Sequence, residues 1–301
     1  MWSSACWRRL RRDVKKSREI ILADKAGFCF GVKRAINTAF KAAAGGKVYC
    51  LGPLIHNPQE VDRLRREGVE TVDDLKTLKP GDSLIIRSHG VPPSVLRQAH
   101  DKDLTIIDLT CPFVGKAQRF AERLQIEGYR IVVVGEKKHP EVQSIIGYAG
   151  EDAIVVETPA DLEGMKAQRR LGVVAQTTQS YSNFSEIVLE LLRLSKELKV
   201  YNTICNSTTE RQNATRSLAG RVDIMFVVGG RNSANTTRLV SLCREEGKPT
   251  YHIEVADEIR QEWLQGASKI GVTAGASTPD WVIEGVLKRL REGHTSKQPV
   301  R

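Results

Sequence analysis

Three of the six cysteines in this 301-residue chain share a setting that the others lack. Cys29 in "KAGFCFGVKRA", Cys111 in "DLTCPFV" and Cys205 in "CNSTTERQ" each stand in a loop just before a helical pattern. The dipole at a helix N-terminus stabilises a thiolate, which is the form that attacks or binds metal. Cys50 lies inside the apolar "KVYCLG" and Cys243 follows "TTRLVSL", so both read as core, while Cys6 belongs to a basic tail. Six such scattered thiols do not make a disulfide framework. Three readings stay open for the trio: small core residues, a zinc site, or an iron–sulfur cluster held from distant loops. Zinc usually announces itself by Cys-x-x-Cys pairs, and the chain has none. Three thiolates on a four-iron cube would leave one iron without a protein ligand, open to act as a Lewis acid.

The trio is part of a repeat. Each cysteine-bearing helix leads to an apolar run that ends in glycine at near-constant distance: 29 to 52, 111 to 135 and 205 to 229. Polar turns follow, "GPLIHN", "GEKKHPE" and "GGRNSAN", and a later strand in each copy empties into "RSHGV", "AQTTQS" or "TAGAST". Three motif classes in the same order, three times over, imply a triplicated architecture. The turns supply His56, His89, His139, Ser233, Asn235 and Ser277, a set of donors whose nearest common target is phosphate or diphosphate. Taken singly, each histidine is more often structural than a ligand contact. Glu141 follows Pro140, which places it in the first turn of a helix, either favouring the dipole or handling protons beside His139. Thr177 and Thr178 would orient a substrate hydroxyl or cap the next helix. No Walker-type loop occurs, and "GGRNSAN" matches the dinucleotide fingerprint poorly.

Positioning these residues requires alternating strands and helices. Strands are expected over 19–23, 47–52, 83–88, 104–109, 129–135, 153–157, 171–176, 222–230 and 269–275, with helices over 30–44, 113–127, 182–198 and 207–220. This pattern predicts an α/β fold: three similar α/β units with small parallel sheets, arranged with pseudo-threefold symmetry around a central cavity. The expected divisions are a basic extension over 1–18, units over 19–97, 98–196 and 197–292, and a tail over 293–301.

With 41% hydrophobic and 27% charged residues the composition is that of a soluble protein. No apolar run approaches the ~20 residues of a membrane span, so no membrane partner and a cytoplasmic location are expected. Residues 1–20 hold seven Lys/Arg against Asp13 and Glu19, half of the net charge of +10. The mildly basic body suits an anionic small molecule, and no nucleic acid is expected to bind.

The motifs "GFCFGVKRAI", "GPLIHN", "RSHGV", "DLTCPFV", "HPEV", "QTTQS", "CNSTTERQ", "GGRNSANTTRL" and "GVTAGASTPDW" occur in the order of a known family. From about Ile20 to the helix ending near Glu292 the chain resembles the LytB/IspH family of 4-hydroxy-3-methylbut-2-enyl diphosphate reductases, which catalyse the last step of the non-mevalonate isoprenoid pathway. The resemblance implies one [4Fe-4S] cluster on Cys29, Cys111 and Cys205, with one open iron for the substrate hydroxyl. It implies diphosphate contacts from His56, His89, His139, Ser233, Asn235 and Ser277, proton delivery by Glu141 and positioning of the hydroxyl by Thr177. Ferredoxin or flavodoxin would be the electron donor. The chain departs from the frequent Ser-Ser-Asn by carrying Ala234 between Ser233 and Asn235. Two rivals stand beside this: a quinolinate-synthase-like iron–sulfur enzyme, and a non-catalytic iron–sulfur redox sensor acting through the basic tail.

Overall fold

Runs such as "RIVVV" and "IMFVV" are apolar at nearly every position, the pattern of parallel strands covered on both faces. In the computed structural model, which describes residues 18–292, they form the centres of two of three parallel sheets. The extension expected over 1–18 (Arg18 apart) and the tail expected over 293–301 lie outside the described residues.

The first sheet is built from β2 (Val48–Leu51), β3 (Val69–Val72), β4 (Ser83–Ile86) and β5 (Thr105–Asp108), in the order β3-β2-β4-β5. The second contains β6 (Arg130–Val134), β7 (Ile154–Val156), β8 (Gln168–Ala175) and β9 (Ser195–Val200), in the order β7-β6-β8-β9. The third is β11-β10-β12-β1, from β10 (Ile224–Val228), β11 (Thr250–Ile253), β12 (Lys269–Ala274) and β1 (Glu19–Leu22). All three share one connectivity, and the N-terminal strand completes the last sheet, with Glu19 opposite Lys269 and Leu22 opposite Val272.

The sheets therefore draw different boundaries from the sequence divisions at 97/98 and 196/197. Thr105–Asp108 pairs back onto Ser83–Ile86, and Ser195–Val200 onto the strand beginning at Gln168. The sequence repeat runs from cysteine to cysteine, whereas the repeat in space runs from central strand to edge strand. Each cysteine follows an edge strand and opens the helix that leads to the next sheet: α1 (Phe30–Ala43), α4 (Pro112–Ile126) and α7 (Asn206–Ala219). Three more helices follow the central strands, α2 (Pro58–Arg66), α5 (Pro140–Ala149) and α8 (Ala234–Glu245), and three follow the next strand in, α3 (Pro93–Asp101), α6 (Tyr181–Arg193) and α9 (Asp280–Glu292). Among the described residues no helix is long and apolar enough to cross a membrane.

The second sheet shows how the core is divided. Ile131 and Val133 face Ala117, Ala121, Leu124 and Ile145, while Val132 and Val134 face Phe184, Ile187 and Leu191. Alternation along one strand thus fills two layers of core. Gly172 keeps the first layer close, since a Cβ there would come within 2.9 Å of Leu124 Cδ1. Leu124 is fully buried, so Leu124→Ala is expected to cost about 2–5 kcal/mol and lower the urea midpoint, with the site residues left in place.

Candidate functional site

The three cysteines are the N-cap residues of α1, α4 and α7, each in an extended backbone conformation. Each is fixed by the same bond to the neighbouring loop. Cys29 N donates to Ala276 O (3.1 Å), Cys111 N to Ser88 O (3.0 Å) and Cys205 N to Thr177 O (3.0 Å). Those acceptors sit just past β12, β4 and β8, so the equivalence of the three positions extends to their backbone partners. Val32 N also lies 3.5 Å from Cys29 Sγ, where a helix-start N–H supports a sulfur lone pair.

The sulfurs converge. A Cβ on Gly31 would lie 2.6 Å from Cys111 Sγ and 4.0 Å from Cys29 Sγ, so only glycine leaves room between these thiols. Burial raises the Cys111 and Cys205 thiols, offset by N–H groups of Phe113 and Val114 and of Ser207 and Thr208 respectively; Cys29 and Cys205 raise the first further, and Cys29 and Glu141 the second. Three soft donors from three helix starts lining one cavity, with Gly31 keeping room beside two of them, fit an anionic metal–sulfide group. Cys50 and Cys243 are buried in apolar core and pushed up to about 12, the environment of inert thiols.

The polar turns line the same cavity as the thiols. The rings of His56 and His89 are 4.5 Å apart, and His139 lies 5.4 Å from the first and 5.5 Å from the second. Burial pushes His56 and His139 down to about 4, with the Arg87 charge contributing to both and His56 to His139. His89 is also driven well below the usual value, first by burial and then by His56, His139 and Arg87. At neutral pH the trio is therefore uncharged, each ring offering one N–H and one lone pair. Their ligating atoms lie within 4.8 Å of one another, close enough for a metal as well as for an oxyanion. His139 Nδ1 accepts from Glu141 N (3.2 Å), which leaves Nε2 to face outward. His56 Nδ1 and Nε2, His89 Nδ1 and both amide atoms of Asn235 are buried without a partner in the protein. Ser277 Oγ donates to His56 O (3.1 Å), and Ser233 caps α8 by accepting from Thr236 N (3.3 Å).

Between thiols and histidines lies a carboxylate held at both oxygens. Thr177 N donates to Glu141 Oε1 (2.6 Å) and Thr177 Oγ1 to Oε2 (2.9 Å). Burial nevertheless raises the Glu141 carboxyl to about 7, outweighing these bonds, which favour the ionised form. A group poised there exchanges a proton at neutral pH.

Every candidate residue named from the sequence lines this one cavity, which encloses about 760 Å³ including its open mouth: Cys29, Cys111, Cys205, His56, His89, His139, Glu141, Thr177, Ser233, Asn235 and Ser277. Ala234, the departure from the usual motif, lines it too. Arg211, Ser207 and Thr208 also line it but were not singled out from the sequence. The signal for them is the stripe Thr208, Arg211, Gln212 and Thr215, polar at helical spacing yet buried.

A family model described as LytB protein matches residues 20–291. The chain belongs to the LytB family. This LytB chain is 49% identical over 273 residues to the 4-hydroxy-3-methylbut-2-enyl diphosphate reductase of Geobacter sp. (strain M21), covering 90% of the chain and 96% of the relative. It is 48% identical over 281 residues to the reductase of the same name from Geobacter sulfurreducens, covering 93% and 99%. Among solved structures it matches a (E)-4-hydroxy-3-methyl-but-2-enyl diphosphate reductase described as the terminal enzyme of the non-mevalonate pathway. That match has a TM-score of 0.68 and 48% identity and covers 91% of this chain and 99% of the other. The Plasmodium falciparum E-1-hydroxy-2-methyl-but-2-enyl-4-diphosphate reductase superposes with a TM-score of 0.86 at 29% identity, covering 90% and 87%.

The buried imidazoles of this LytB site give a direct test. Their pKa values in the fold lie below the ordinary 6.5, so between about 4 and 6.5 the unfolded chain binds more protons. The stability that neutral His56 and His139 contribute is complete above pH 6.5 and is lost as pH falls through about 4. Ring C–H resonances of His56 and His139 are expected to titrate with midpoints near 4 by NMR. Midpoints near 6.5 would show rings open to water.

Proposed function

We propose that this LytB chain is a 4-hydroxy-3-methylbut-2-enyl diphosphate reductase. It removes the substrate hydroxyl with two electrons and two protons, giving water and isopentenyl or dimethylallyl diphosphate. One observation carries the reading: three helix-capping thiols, a carboxyl poised near neutrality and a wall of unpartnered neutral donors line the same cavity.

Cys29, Cys111 and Cys205 would hold a [4Fe-4S] cluster with one open iron, which when bound supplies electrons and a Lewis acid at the hydroxyl end of the substrate. A ferredoxin or flavodoxin is the electron donor in this reading. The chain's own residues do the rest. His56, His89 and His139 donate ring N–H groups to the diphosphate as neutral donors, with the Arg87 charge behind them. Ser233, Asn235 and Ser277 complete that wall, and the free N–H groups at the start of α8 serve where Ala234 offers no hydroxyl. Glu141 delivers a proton to the carbon–oxygen region, because hydroxide is a poor leaving group until protonated. Thr177 receives the resulting carboxylate by donating from its N–H and Oγ1–H, and the lone pairs left on Oγ1 would accept from the substrate hydroxyl and orient it.

Glu141→Gln is expected to keep substrate binding and cut turnover by about 10²–10⁴-fold, measured anaerobically with a reduced donor. Undiminished turnover would remove Glu141 from the mechanism. Iron and sulfide analysis tests the ligands separately. Cys111→Ala should lose the cluster and Cys50→Ala should retain it, whereas equal loss in both would break the assignment.

A further inference from the structure

Arg211 heads the fully buried large side chains, at 2% exposure, and it is the one arginine or lysine that lines the cavity among the described residues. It stands on α7, one and a half turns beyond Cys205. Its Nη1 donates to Lys25 O and to Ala274 O (3.2 Å), while its Nε is buried without a partner. Lys25 is one of two non-glycine residues with positive φ among those described (64°), so the guanidinium pins a strained turn just ahead of Cys29. Ala274 ends the strand whose loop, at Ala276 O, receives the Cys29 N–H. A single guanidinium thus ties the segment bearing Cys205 to the two segments that fix Cys29.

Both of its acceptors are neutral carbonyls, and no carboxylate pairs with it among the described residues. A buried cation without an anion is costly, which makes its natural partner a negative charge on the cysteine side of the cavity. We propose that Arg211 is the fixed counter-charge of the cluster, a positioning residue that holds Cys29 and Cys205 in register and raises the potential at which the cluster accepts an electron. This rests on the reading that the three cysteines hold that group. Uptake of one electron from a low-potential chemical reductant such as dithionite makes and breaks no bond and adds one negative charge. A fixed cation nearby lowers the cost of that added charge.

The test uses the full chain, loaded anaerobically, as wild type, Arg211→Lys and Arg211→Met. Midpoint potentials are read by spectroelectrochemical titration, iron release by transfer to a chelator, and folding by circular dichroism. Arg211→Met is expected to show a more negative midpoint than wild type and faster iron release. Arg211→Lys should keep the wild-type midpoint while releasing iron faster, because an ammonium keeps the charge but not the planar fork that bridges two carbonyls. Arg211→Met holding its cluster at the wild-type midpoint would overturn the inference and leave the cluster reading standing. If Arg211→Met folds without a cluster, Arg211→Lys decides: an unchanged midpoint supports the counter-charge, and a negative shift overturns it. A wild-type chain that takes up no iron overturns both readings.

Discussion

In a parallel sheet every strand ends on the side where the next helix begins, so strand ends and helix starts share one rim. Here three sheets of identical connectivity turn that rim toward a common centre. Among the described residues seven α-helix starts carry a polar or thiol cap: Cys29, Cys111 and Cys205 on one set, Asn57, His139 and Ser233 on another, and Ser180 on α6. Their unpaired N–H groups and positive dipole ends make the centre hospitable to negative charge without many buried cations. The chemistry of the cavity follows from this alignment. In the function proposed above, the thiols at one set of caps would serve as metal ligands, and the hydroxyl, amide and imidazole groups at the other as oxyanion donors.

The charge states of the site follow from the same economy. Burial leaves the three histidines neutral and Glu141 near its midpoint at physiological pH. Neutral groups cost less to bury than ions, so the folded chain tolerates a cluster of titratable side chains that would otherwise repel. Half-buried Arg87 adds its charge to the lowering of the three histidines, and fully buried Arg211 lines the cavity on α7. Burial disfavours the charge of each. Thr177 joins the two halves: its carbonyl holds Cys205, and its N–H and hydroxyl hold Glu141. A shift of one peptide would therefore move a ligand and a proton donor together.

The thrice-repeated order of motifs made the site legible before the fold, because cysteine, polar turn and strand end recur at nearly fixed spacing. What the sequence hid was local and weak. The stretch 182–198 reads as one helix, yet α6 stops at Arg193 and Ser195–Val200 forms an edge strand. Ser195 Oγ bonds Leu191 O at the turn, and the Lys and Glu of "SKELKV" suit the exposed side of an edge. The strands Val69–Val72 and Thr250–Ile253 are four residues each, too short for alternation to stand out. β8 begins at Gln168, three residues before its apolar run, because pairing with β9 extends it through charged positions. Arg211 escaped notice because a charged residue on a helix is ordinarily at the surface, and only packing shows it to be inside.

The third sheet has an implication for synthesis. Its edge is the first described strand, while its centre is made from the last quarter of the chain. Cys29 takes its backbone anchor from Ala276, so the first of the three site thiols to be made is among the last to acquire its place. Cys111 meets its own anchor, Ser88, from residues already made. The chain therefore cannot assemble a three-thiol site as it emerges. A chain truncated before Lys269 would lack both β12 and the Ala276 carbonyl, leaving Cys29 without its backbone anchor.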